Sequence, residues 1–106
     1  MGIAANKIVS FRPYHPGELV KEELEFRGIR QKEFAKKFGL SYSALNEILN
    51  AKRPITTEFA LLLEAALGIN ADLLVRIQTD YNIQVARNNN SLHKKLNNIR
   101  KIAAVL

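Results

Sequence analysis

The chain has 106 residues, 47% hydrophobic and 25% charged, a length and balance that fit one folded domain and exclude wholesale disorder. It contains no cysteine, which excludes disulfides, thiolate zinc sites and cysteine nucleophiles and suits a reducing interior. The formal charge of +6 is uneven: residues 1–86 carry 11 basic and 10 acidic side chains, whereas residues 87–106 carry Arg87, Lys94, Lys95, Arg100 and Lys101 and no acid.

The opening "MGIAANKIVSFRP" lacks the apolar stretch of a secretory signal, and no apolar run approaches the ~20 residues of a membrane span. Asn6 stands where a myristoylation site wants Ser or Thr. A cytoplasmic location without membrane association is expected. "KIVSFRPY" alternates apolar and polar residues, but one short strand has no partner here, so residues 1–14 are treated as an arm.

From residue 15 the pattern is helical. The first helix starts with Pro16 near its first position, carries Leu19, Val20 and Leu24 on one face and stops at Gly28. The second, from Gln31 to Phe38, ends at Gly39, whose lack of a Cβ suits a left-handed cap. Ser41 caps a third with Leu45, Ile48 and Leu49 inward, ending near Asn50. Thr56 or Thr57 caps a fourth, closed by Gly68 and apolar almost all round, which predicts the most buried helix. Asn70 caps a fifth with Leu73, Leu74, Ile77 and Tyr81 at helical spacing. After "RNNN", Ser91 is the predicted cap of a last helix with Leu92, Leu96, Ile99, Ile102 and Leu106 in a narrow stripe opposite its basic residues. The expected fold is all-α, a five-helix bundle with an additional C-terminal helix: an arm at 1–14, a domain at 15–87 and a basic amphipathic tail at 88–106.

The second and third helices have the spacing of a helix-turn-helix, in which the first helix braces a second that enters the major groove. Such a pair needs a small residue where the helices cross and a glycine in the turn. Counted from Gln31, Ala35 is the fifth position, Gly39 the ninth, Leu45 the fifteenth and Ile48 the eighteenth, with Phe34, Phe38 and Leu40 completing the interior. An ordinary helical hairpin is the plainer reading of any helix pair. The four matched positions, with Arg30, Lys32, Lys36, Lys37, Lys52 and Arg53 around them, favour DNA binding.

The stretch from "HPGELVKEELEFRG" through "LNEILNAKRPIT" to "EAALGINADLL" resembles the HigA-type antitoxins, a branch of the phage-repressor-like (XRE) helix-turn-helix proteins, over His15 to Arg87. "TDYNIQVAR" and the basic "NIRKIAAVL" ending resemble a subgroup with a longer C-terminus. The resemblance implies a repressor-like bundle that binds a HigB/RelE-like, mRNA-cleaving toxin and, as a dimer, represses its own operon. Three positions depart from the pattern. Arg30 replaces a frequent Ser or Thr cap, Ala51 replaces a frequent glycine, which suggests that Asn50 takes the left-handed turn, and Leu74 stands where many relatives have tryptophan.

With Leu45, Ile48 and Leu49 inward, Tyr42, Ser43, Asn46 and Glu47 face out. Tyr42, Ser43 and Asn46 are the expected base readers, since bases are read mainly from the N-terminal half of a recognition helix, and Asn46 can pair with adenine N6 and N7. Gln31, Lys32, Ser41, Lys52 and Arg53 are the expected phosphate contacts, setting affinity and salt dependence. Glu47, a poor neighbour for phosphate, either reads a cytosine amino group or pairs with a lysine, and the pair is the favoured expectation. A specific operator needs a homodimer with recognition helices ~34 Å apart, and Leu73, Leu74, Ile77, Ile99, Ile102 and Leu106 are the candidate interface. The tail stripe has three destinations: its own domain, a dimer contact or a toxin contact. Glu18, Glu22 and Glu25 form an acidic surface suited to a basic toxin.

Enzyme function finds little support. His15 and His93 are the only histidines, there is no glycine-rich phosphate loop, and no metal or cofactor is expected. His15 reads as a residue that starts a helix. A stand-alone repressor without a toxin and a helical protein-interaction module are the remaining alternatives.

Overall fold

The computed structural model describes residues 12–106. Residues 1–11, which hold most of the expected arm, lie outside the described residues. Six helices and no strand occur among the described residues: α1 Pro16–Phe26, α2 Gln31–Lys37, α3 Tyr42–Leu49, α4 Thr57–Leu67, α5 Ala71–Arg87 and α6 Asn90–Ala103. The chain forms two compact units that divide at Thr79 and Asp80, inside α5: residues 14–79, and the segment from Asp80 onward.

The first unit is built by caps and one shared core. Ser41, Thr56 and Asn70 accept from the backbone N–H groups of Ala44, Phe59 and Leu73 with their side-chain oxygens, satisfying donors that a helix start leaves open. Arg30 makes no such bond at the head of α2. The turns that follow α2 and α3 are the same motif. Leu40 N–H reaches back to Ala35 O at 2.8 Å across Gly39, and Lys52 N–H to Glu47 O at 2.8 Å across Ala51, each requiring a left-handed residue between. Gly39 supplies it with φ 67°, and Ala51 with φ 63°. The expectation that Asn50 takes this turn is thus corrected: Asn50, at φ −102°, is the last residue of the helix cap, and the motif's hydrogen bonds fix the left-handed position one residue later.

The core is Val20 and Leu24 of α1, Phe34 and Ala35 of α2, Leu45, Ile48 and Leu49 of α3, Ile55, Ala60, Leu63 and Leu67 of α4 and its approach, and Ala71 and Leu74 of α5. Burial of one leucine contributes about 1.5–3 kcal/mol, so this cluster is the main source of stability. Two readings of it are corrected. α4 is not the most buried helix: of its 11 residues only Ala60, Leu63 and Leu67 are buried, against four of 11 in α1, and Leu61 is 53% exposed. On α5 the buried face is Ala71, Leu74 and Gln78, with Leu73 partly exposed.

Three polar groups lock the helices. Arg27 donates from Nε to Glu23 at 2.7 Å and from Nη2 to the Leu67 carbonyl at 2.6 Å, tying α1 to the open C-terminal end of α4. Glu64 Oε2 accepts from Ala71 N–H at 2.9 Å, and the buried Gln78 Oε1 from Ile55 N–H at 2.8 Å. No buried side-chain polar atom among the described residues lacks a partner, as a rigid core demands.

In the second unit, α6 is capped by Asn89, whose Oδ1 accepts from Leu92 N–H at 2.8 Å. Ser91, the expected cap, lies inside the helix. Asn89 is closer to the break and its side chain reaches N3, which starts α6 two residues earlier than read. No residue of α6 is buried, and Ile99, Ile102 and Leu106 are exposed.

Candidate nucleic-acid interface

The depth at which α3 sits is set from α1. Gly17 faces α3 so closely that a Cβ there would lie 1.9 Å from the carbonyl oxygen of Ile48. Beside it, His15 caps α1: Nδ1 accepts from Gly17 N–H at 2.9 Å, and the Glu18 carboxylate accepts from His15 N–H at 3.2 Å, a reciprocal cap. His15 is buried, and burial holds its pKa below the ordinary value of 6.5 against the opposing pull of Glu18 and of a hydrogen bond to the Arg53 backbone. "HPGE" therefore does one job. It sets α1 against α3 and reaches the loop behind it.

α2 and α3 pack through Phe34, Ala35, Leu45 and Ile48, all buried. Leu40 is half-buried. Phe38 departs from the expected interior role: it is 43% exposed and rests its ring 4.9 Å from that of Phe34, because the helix turns away at Gly39 before a second core layer forms.

The outward side of α3 carries Tyr42, Ser43, Asn46 and Glu47, of which Tyr42 and Ser43 are exposed and Asn46 and Glu47 partly so. Three of these four are engaged by neighbours. Asn46 Nδ2 donates to Gln31 Oε1 at 3.2 Å. The Lys32 ammonium lies 5.5 Å from the centre of the Tyr42 ring, within cation–π range. Arg53 Nη2 meets Glu47 Oε1 at 2.6 Å, so the expected partner of Glu47 is an arginine and not a lysine; the turn at Ala51 brings residue 53 back beside the helix. A groove lined by Lys21, Leu24 and Glu25 of α1, by Ile29, Arg30, Gln31 and Lys32, and by Tyr42 and Asn46 of α3 lies at one edge of this face. Ser41 caps α3, and Lys52 is exposed.

Two other expected sets are altered. Of the acidic residues on α1, Glu22 and Glu25 are exposed, but Glu18 is taken up in the cap with His15. In the candidate interface set, Leu74 is completely buried in the core and offers no surface to a partner. Leu74 belongs to the core cluster, which a hydrophobic count alone cannot distinguish from an exposed stripe. Leu73 and Ile77 remain partly accessible.

Residues 20–74 match the helix-turn-helix family, and this span contains α2, the turn at Gly39 and α3. The chain belongs to the helix-turn-helix family. This is a family of DNA-binding regulators and not of enzymes. The helix-turn-helix protein is 37% identical over 73 residues to virulence-associated protein I of Dichelobacter nodosus, a match covering 68% of each chain. Its fold is similar to that of an addiction module antidote protein of the HigA family from Coxiella burnetii, at 31% identity and TM-score 0.72 over 83% of this chain and 95% of that one. It is also similar to Pseudomonas aeruginosa antitoxin HigA, solved with the higBA promoter, at 26% identity and TM-score 0.71 over 80% of this chain and 91% of that one. Among the described residues no helix is long and apolar enough to cross a membrane.

The sequence pointed to an ion pair at Glu47 but not to the ties of Tyr42 and Asn46, nor to the roles of Gly17 and Gln78. The signal for Gly17 was present, since a glycine inside a helix start without a turn marks a close backbone approach. Gln78 had none, because a buried polar residue is revealed only by the backbone group it satisfies.

Proposed function

We propose that the protein is a DNA-binding antitoxin that neutralises a HigB/RelE-like toxin and, as a homodimer, represses its own operon in the cytoplasm. The observation that carries this reading is the braced helix pair, with α3 seated by Gly17 and presenting Tyr42, Ser43 and Asn46 outward, in a chain similar to HigA antitoxins of which one was solved with its promoter. Residues 15–87 form the DNA-binding part. Tyr42, Ser43 and Asn46 read base edges, and Ser41, Lys32 and Lys52 grip phosphate. Leu73 and Ile77 with the α6 stripe Ile99, Ile102 and Leu106 contribute the dimer contact, and Glu22 and Glu25 face the basic toxin.

The test is growth. The short reading frame flanking the gene is expressed alone and together with this protein. Arrest relieved by co-expression supports the antitoxin reading. A harmless neighbour, or toxicity that persists beside soluble protein, refutes it and leaves a stand-alone repressor, whose operator binding is measured separately.

A further inference from the structure

Asn46 and Glu47 are adjacent on α3, and each is held by a different flanking segment: Asn46 by Gln31 in the first turn of α2, Glu47 by Arg53 in the loop after α3. An asparagine amide offers a donor and an acceptor on nearly symmetric arms, and its terminal torsion has two broad settings of similar energy. Gln31 Oε1 is an acceptor only. With the Oε1 of the Gln31 amide turned toward α3, as it is here, Nδ2 of Asn46 faces α2 and leaves one Nδ2 hydrogen and Oδ1 for a base edge. Adenine shows an acceptor at N7 beside a donor at N6, whereas guanine shows two acceptors. A fixed order of donor and acceptor distinguishes these edges better than an amide that flips.

Glu47 raises the complementary problem. A carboxylate on a reading helix repels phosphate and accepts from the cytosine amino group. Arg53, at 2.6 Å, neutralises it and keeps it occupied.

Resting on the reading of α3 as the base-reading helix, we propose that Gln31 and Arg53 are positioning residues that set sequence discrimination through Asn46 and Glu47, rather than phosphate contacts that set affinity. One residue precedes α3 in the chain and the other follows it, and they contact two consecutive side chains, Asn46 and Glu47. Gln31→Ala frees the Asn46 amide, and Arg53→Ala frees the Glu47 carboxylate.

The test uses the full chain and a duplex enriched by it from a randomised library, together with all single base-pair changes of that duplex, titrated at several salt concentrations. Gln31→Ala lowers the preference at the base pair that Asn46 reads by about three- to tenfold, the worth of one hydrogen bond, and leaves the slope of log K on log salt unchanged. It adds nothing in an Asn46→Ala background. Gln31→Glu keeps an acceptor for Nδ2, so the preference survives while all duplexes bind more weakly. Arg53→Ala shifts preference toward cytosine beside that pair, and this shift vanishes in a Glu47→Ala background. The proposal is overturned if Gln31→Ala weakens every duplex equally with a slope smaller by about 0.9, as loss of one phosphate contact would, or if its effect persists in the Asn46→Ala background. If Asn46→Ala itself leaves every preference intact, the base-reading assignment fails and carries this proposal with it, a result distinct from the first two.

Discussion

Replacing Gly17 with alanine measures how closely α1 is set against α3. The new Cβ would lie 1.9 Å from the Ile48 carbonyl oxygen and 2.8 Å from its carbon. Both are backbone atoms, so no flexible side chain can swing aside and the two helices must part by more than an ångström. That movement disturbs Val20, Leu45 and Leu49, which are buried beneath the contact. Overpacking of this kind costs about 1–3 kcal/mol, and the better helix propensity of alanine offsets at most about 1 kcal/mol of it. A net loss of about 1–2 kcal/mol follows, which lowers Tm by roughly 4–16 °C for a domain of this size. Thermal melts followed by circular dichroism, checked by urea unfolding, provide the readout. An unchanged or higher Tm would show that propensity decides at this position and that the close approach is not what sets α3.

Three further outcomes follow from the same geometry. Ala51→Gly relieves a left-handed alanine at φ 63° and should stabilise the protein by about 1 kcal/mol, seen as a higher urea midpoint at constant m-value. Gln78→Leu leaves the Ile55 N–H, now bonded at 2.8 Å, buried without an acceptor and should destabilise by about 1–3 kcal/mol, measured by chemical unfolding. His15 has a folded pKa below its ordinary 6.5 because it is buried, so the unfolded chain takes up the proton first: stability is full above that value, falls as pH drops below it and levels off below the folded pKa. Urea midpoints measured from pH 7.5 down to 5 should show this decline, at most about 1.4 kcal/mol per pH unit, and His15→Asn, which keeps a cap acceptor, should flatten it.

How much of this was legible in the sequence depended on the kind of interaction. Helix periods and caps are local, so Ser41 and Asn70 could be read directly and the fourth cap narrowed to Thr56 or Thr57, and the spacing of Ala35, Gly39, Leu45 and Ile48 placed the helix pair. The site was legible as a set of outward residues but not as an arrangement. Asn46 and Gln31 are 15 residues apart, and only the packed helix pair brings them together. The same holds for Leu74. Its apolar character was plain, but only the assembled core shows that it is fully buried while Leu73 beside it is exposed. The left-handed turn was misplaced by one residue for a related reason: composition favours asparagine there, but the backbone bond from Lys52 to Glu47 selects Ala51.

The absence of buried residues in α6 makes that helix a reporter. A helix of 14 residues in which only Leu92 and Leu96 are even partly covered draws little of its stability from packing, and its amide hydrogens exchange through openings of small free energy. Covering the stripe of Ile99, Ile102 and Leu106 would raise that free energy by the whole of the contact formed. Hydrogen-exchange protection over residues 90–103 should therefore climb with protein concentration if a second copy is the cover, and with added partner if a toxin is. The order of this segment is a property of what surrounds the chain.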